Sequence, residues 1–158
     1  MNDNVPEVST TMVVSQMLIR KPVAEVFEAI VNPEITTRFW FSRSSGRLEP
    51  GKKVRWDWEM FGVEDTLTVN EYEENARLLI EWESDPTLVE WQFESRDADS
   101  TLVTVLNWGF LGTCEEVLPH TVASKGGYTI VLAGLKAWLE FGIELNLIRD
   151  QFPDGCPD

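Results

Sequence analysis

The sequence is poor in the side chains that most often carry chemistry, with one histidine and two cysteines in 158 residues. Cys114 and Cys156 have no metal-ligand spacing, and nothing else in the chain resembles a zinc set. Neither has the basic neighbour that would activate a thiolate. A small secreted domain would carry more cysteine, so reduced thiols and a cytoplasmic location are expected. His120 follows Leu118-Pro119 at an expected loop-to-helix junction, and no residue stands at a dyad or triad spacing from it. It reads as a surface or helix-start histidine rather than an acid–base group. Nucleophile elbows and phosphate loops are also missing. No catalytic residue, metal ligand or cofactor is therefore assigned.

Basic residues are scarce too. Lys and Arg total 13 against 27 Asp and Glu, a formal charge of -14. Such a surface repels phosphate backbones and anionic lipid, which argues against nucleic-acid and membrane partners. The N-terminus, Met1 to Glu7, lacks a cationic start and an apolar run, so no signal peptide is expected. The longest apolar stretch is interrupted by Lys136, Glu140 and Glu144, which excludes a membrane span. Internal repeats, low-complexity tracts and linkers are not found.

What the chain has is tryptophan, seven of them, most in short alternating segments. Arg55-Trp56-Asp57-Trp58-Glu59-Met60, Ile80-Glu81-Trp82-Glu83 and Glu90-Trp91-Gln92-Phe93-Glu94 each alternate a large apolar residue with an acid or amide. In a strand this period sends the rings to one face and the carboxylates to the other. The pairs Asp57/Glu59, Glu81/Glu83 and Glu90/Glu94 thus read as solvated outer-face charge, with Arg55 or Lys53 relieving repulsion between neighbouring strands.

The pattern predicts a first strand over Thr11–Ile19. Val23, Val26, Phe27 and Ile30 then fall on one helical face, after Pro22 in the first turn. A second short helical segment runs from Glu34 to Phe39. Strands follow over Ser42–Leu48, Lys53–Met60, Val63–Tyr72, Arg77–Glu83, Thr87–Arg96 and Ser100–Trp108. The breaks between them are short, as in a hairpin-connected meander. Gly109–Glu116 reads as loop. A long helix starts near Pro119 or Ser124 and runs to Arg149, with Tyr128, Leu132, Leu135, Leu139 and Gly142 on one face and Val131, Trp138, Leu145 and Ile148 widening it. A stripe that broad belongs to a helix lying on a sheet. A chain of this length fits one domain, expected over 11–150, with flexible tails at 1–10 and 151–158.

Three local patterns carry a resemblance. Pro22-Val23-Ala24-Glu25-Val26-Phe27-Glu28-Ala29-Ile30 resembles a "proline, x, x, x, valine, aromatic" first helix. Phe39-Trp40-Phe41 stands where an aromatic pair follows the second helix. Gly127-Tyr128, followed by Leu132, Leu135 and Leu139, resembles a "glycine-tryptophan" helix with recurring leucines, Tyr128 replacing the tryptophan. Together they resemble the START-like (SRPBCC) superfamily, in the branch related to the C-terminal domain of activators of the heat-shock protein 90 ATPase. The resemblance implies an α+β helix-grip fold: an antiparallel β-meander sheet wrapped around one long C-terminal helix, with two short helices between strands one and two.

Function does not follow from fold on this scaffold. The leading expectation is non-catalytic binding of a small hydrophobic molecule, lipid-like or aromatic, in a cavity between sheet and helix. The alternatives are a polyketide cyclase or aromatase-type enzyme and a chaperone-associated interaction module. Activators of the heat-shock protein 90 ATPase carry a further large N-terminal domain, whereas about ten residues precede the first expected strand here, which places the chaperone role last. A homodimer is compatible with the sequence, although no motif points to one.

The candidate lining is drawn from the expected inner face: Trp40, Trp56, Trp58, Met60, Leu67, Trp82, Trp91 and Phe93 on the sheet side. Thr104, Leu106 and Trp108 come from the last strand, where Thr104 shares the alternation of Leu102, Leu106 and Trp108. Tyr128, Leu132, Leu135, Trp138 and Leu139 come from the helix. Tryptophan suits such a wall because it joins a large apolar body to one N–H donor. Arg38 stands near the expected mouth.

Overall fold

A computed structural model describes residues 5–155; Cys156 lies outside them. The elements run β1 (Val13–Ile19), α1 (Val23–Val31), α2 (Pro33–Thr36), β2 (Arg43–Ser44), β3 (Lys53–Trp58), a 3-10 turn (Glu59–Phe61), β4 (Val63–Glu73), β5 (Arg77–Trp82), β6 (Leu88–Asp97), β7 (Ser100–Trp108), α3 (Cys114–Phe141) and α4 (Leu147–Asp150). The strands form one seven-stranded sheet in the order β1-β7-β6-β5-β4-β3-β2. Every pairing is antiparallel. The α+β helix-grip arrangement is therefore present, with α3 packed against the inner face.

Register fixes which side chains look inward. Trp56 pairs with Asp65, Leu67 with Trp82, Leu78 with Trp91, and Trp91 in turn with Val105. These share one face, and Trp56, Leu67, Leu78, Trp91 and Val105 are all buried. A bulge at Val69/Glu71 shifts the phase of β4 by one residue, so that Tyr72 rather than Glu71 turns inward and meets Phe27 edge-on at 5.4 Å. The last strand corrects the sequence reading. Thr104, Leu106 and Trp108 face outward, opposite Gln92, Glu90 and Leu88, while Val103 and Val105 enter the core. β7 is apolar on both faces, so its alternation carries no phase, and pairing to β6 supplies it.

The first helices match expectation closely. α1 buries Val26, Phe27, Ala29, Ile30 and Val31. Asn32 caps α2 and Pro33 occupies its first turn. Thr36 Oγ1, fully buried, donates to Ala29 O at 2.8 Å and ties α2 to α1. Outside the core, Arg47 grips Glu28 with two bonds of 2.7 Å each. That grip holds the Glu28 carboxyl below its usual range.

α3 differs most from its expected bounds. It begins at Thr113, where a capping box with Glu116 closes the first turn, so Pro119 lies inside the helix. It ends at Gly142, whose φ of 65° terminates the last turn in a left-handed cap. Its 28 residues span about 42 Å. Along one flank it covers the free edge of β1: Lys125 Nζ donates to Val14 O, and Lys136 Nζ to Leu18 O at 2.8 Å. These side chains satisfy carbonyls that would otherwise template another strand. Residues 143–146 then turn the chain back into α4. The tail expected over 1–10 is tied down from Glu7, which accepts from Gly112 N, while Ser9 N donates to Phe110 O.

Candidate functional site

The inner face divides into a packed middle and two open ends. In the middle, Trp56 and Trp91 are 0% exposed. Phe41 stacks on Trp56 at 4.1 Å, and Trp40 meets Trp56 edge-on at 4.8 Å. The Phe39–Phe41 segment fills the gap between α3 and β3; an added Cβ on Gly134 of α3 would lie 3.0 Å from that of Phe39. Leu67, Phe93, Leu132 and Leu135 complete this core. Six of the residues chosen from sequence as lining (Trp56, Leu67, Trp91, Phe93, Leu132, Leu135) are thus in the packed interior and border none of the clefts described below. The indole N–H groups of Trp56 and Trp91 find no acceptor among the described residues.

One open end forms a cleft of about 630 Å³ between β3–β5 and the first half of α3. Trp58 and Trp82 supply its sheet wall, their rings 6.2 Å apart. Trp40 and Tyr128 form the floor, 6.0 Å apart and edge to face. Phe61 and Phe152 pair at 6.1 Å across its outer side, beside Ile148. The helix wall is nearly bare: Ala123, Ser124, Gly126 and Gly127. A Cβ on either glycine would have no atom within 4 Å. Four residues chosen from sequence converge here, namely Trp40, Trp58, Tyr128 and Trp82.

Polar chemistry in this cleft is sparse. Trp82 Nε1 donates to Tyr128 Oη at 3.3 Å. Burial pushes the Tyr128 hydroxyl up to about 12, partly offset by that bond. Ser124 Oγ donates to Asn107 Oδ1 at 2.7 Å, so it too is engaged. No group of His, Cys, Asp and Glu able to hold a metal is found among the described residues.

The other end, bordered by Phe27, Trp138 and Leu139 with Glu25, Glu28 and Glu74, opens a separate cleft of about 640 Å³. Met60 borders a third and smaller hollow of about 180 Å³ with Arg38 and Arg149. Arg38 lies over the Trp138 ring at 5.2 Å. Thr104, Leu106 and Trp108, on the outer face of the sheet, reach none of the three. His120 is exposed on α3; of the outer-face carboxylates, Asp57 pairs with both Arg55 and Arg43, whereas Glu90, expected in solvent, is buried and pairs with Arg77.

Sequence reasoning missed the glycine pair, Phe61, Ile148 and Phe152. Gly127 enters the sequence reading only through the Gly127-Tyr128 pattern, not as a bare wall facing Trp58 and Trp82. Phe152 belonged to a presumed tail, although it carries a large apolar ring that had no assigned cover.

Residues 20–140 match the family described as Activator of Hsp90 ATPase homolog 1-like protein. The chain belongs to this family. Solved structures agree. A protein of Staphylococcus saprophyticus is 30% identical, with a TM-score of 0.75 over 85% of this chain and 96% of its own. The Aha1 dimer from Colwellia psychrerythraea is 15% identical, with a TM-score of 0.73 over 84% of this chain and 98% of its own. The di-domain ARO/CYC protein BexL, from the BE-7585A biosynthetic pathway, is 16% identical with a TM-score of 0.74. The match to BexL covers 83% of this chain but 47% of that protein. At these last two identities the likeness concerns the fold alone. Among curated proteins none matches the sequence. No helix of this family member is long and apolar enough to cross a membrane, among the described residues.

Proposed function

We propose that this protein binds a small hydrophobic, ring-bearing molecule without transforming it, in the cleft walled by Trp58, Trp82 and Tyr128. The observation that carries the reading is the cleft itself: about 630 Å³ bounded by six aromatic rings and a stretch of helix without side-chain bulk. That volume falls within the range of roughly 300–1,000 Å³ usual for small-molecule sites. Rings of this kind offer a ligand large apolar area together with directional edge-to-face contacts. A cyclase-type enzyme would need several polar side chains aimed at one bound atom. The polar side chains here are Ser124, Tyr128 and Gln151, and the first two already serve neighbouring residues.

Titration with the neutral dye Nile red tests the reading. Its emission is expected to rise and shift to the blue, and Gly127→Leu, which fills the open wall, is expected to weaken binding about tenfold or more. Native mass spectrometry of freshly purified protein is expected to show a co-purified small molecule. Dye binding that survives Gly127→Leu unchanged would move the site elsewhere. We also carry forward a cytoplasmic setting, consistent with the exposed free thiol of Cys114, and self-association like that of the Colwellia relative, which sedimentation velocity checks.

A further inference from the structure

We infer that the ligand taken by this cleft is cationic, an amine or quaternary ammonium on an aromatic body, and that the matching carboxylate is rejected. The inference rests on the cleft reading above and adds the charge of its occupant.

Three observations point the same way. First, the walls are aromatic and hold no basic side chain: Trp40, Trp58, Phe61, Trp82, Tyr128 and Phe152 all border one space. Aromatic faces carry the negative part of the ring quadrupole, and several around one volume attract a cation once water is displaced. Second, a carboxylate stands beside the sheet wall, next to the residues that line the cleft but not among them. Asp65 lies on the inner face of β4 between Val63, whose register partner is Trp58, and Leu67, whose partner is Trp82. It is preset by three donors: Thr66 N at 2.8 Å, Ser84 N at 3.3 Å and Ser84 Oγ at 2.5 Å. Its charge, held in place by these donors, acts on the cleft through space rather than by a contact with the ligand. Alternation would otherwise place an apolar residue here, as it does at Leu67 and Val69. Third, the nearby cations are turned away. Arg55 binds Asp57 and Glu64 on the outer face, Lys125 caps the Val14 carbonyl, and Arg149 borders the smaller hollow. An anion entering the cleft would meet no counter-charge, in a protein carrying -14 overall.

Three probes on one naphthylmethyl body test this by calorimetry: naphthylmethylammonium, naphthylmethanol and naphthylacetate. The ammonium is expected to bind about tenfold more tightly than the alcohol, and the carboxylate about tenfold more weakly. Asp65→Asn, which keeps the size and the acceptor oxygen, is expected to shrink the ammonium-to-alcohol ratio several-fold. Equal affinities for all three probes, or tightest binding of the carboxylate, would overturn the cationic assignment and leave the cleft reading standing. A measured alcohol affinity with no ammonium preference in the unmodified protein overturns it without any variant. Failure of all three to bind would remove the cleft reading as well.

Discussion

Trp56 and Trp91 are buried to 0% exposure in the middle of the inner face, while Trp58 and Trp82, on the same strands or the next, stand at the edge of an open cleft. All four satisfy the same alternation in sequence. What separates them is the cover. Over the middle, Phe39–Phe41 and the Leu132–Leu135 turn of α3 fill the space; over the end, the helix presents Ala123, Ser124, Gly126 and Gly127. One pattern of residues therefore yields core in one place and binding wall in another, according to the bulk on the opposing helix.

Several experiments can break or sharpen that contrast. The largest effect is expected at Trp91: Trp91→Ala is expected to cost about 3–5 kcal/mol in urea unfolding, through lost burial and an unfilled cavity. Trp82→Ala, already facing a cleft, is expected to cost less than half as much. Equal losses would mean the two rings are packed alike.

Tyr128 stands between the regions and gives the next largest effect. Its hydroxyl, pushed up to about 12 by burial, keeps its proton in the folded state where an unfolded tyrosine would lose it near pH 10. The unfolded chain then binds fewer protons, so stability falls as pH rises from about 10 to 12, by roughly 2–3 kcal/mol. Below pH 10 the contribution is complete. Tyr128→Phe is expected to flatten that alkaline loss, read from unfolding midpoints against pH.

The two kinds of helix glycine make a finer comparison. Gly134→Ala would set a Cβ 3.0 Å from that of Phe39 and 3.2 Å from its carbonyl oxygen, and is expected to destabilise by about 1–3 kcal/mol. Gly127→Ala meets nothing within 4 Å and is expected to stabilise by about 0.5–1 kcal/mol, the ordinary helix gain. Opposite signs in thermal melts would show that one glycine serves packing and the other leaves room. The smallest effect is expected at the surface: Glu28→Gln, removing a half-exposed pair with Arg47, is expected to cost about 0.5–1 kcal/mol after screening by solvent. Because that carboxyl is held below its usual range, its contribution is present above about pH 4.5 and disappears as the pH falls.

Much of the fold was legible because it rests on local periods. Val23, Val26, Phe27 and Ile30 could form only one helical face, and the Trp-acid alternations of β3, β5 and β6 could face only one way. Ser100–Trp108 was bounded correctly yet read in the wrong phase. Leu102, Leu106 and Trp108 are as apolar as Val103 and Val105, and only pairing with Trp91 and Phe93 of β6 tells them apart. The start of α3 was placed late because Thr113 and Glu116 form a cap through two side-chain bonds, whereas Pro119 is the stronger local signal.

The amino-acid order by itself determined the sheet, its aromatic inner face and the helix that covers it, since those follow from periods of two and 3.6 along a single segment. Where that face is solid and where it is hollow was decided only in three dimensions. A cleft is a difference between two surfaces far apart in sequence, Trp58 and Trp82 on one side and Gly126-Gly127 on the other. No periodicity within either segment encodes their separation.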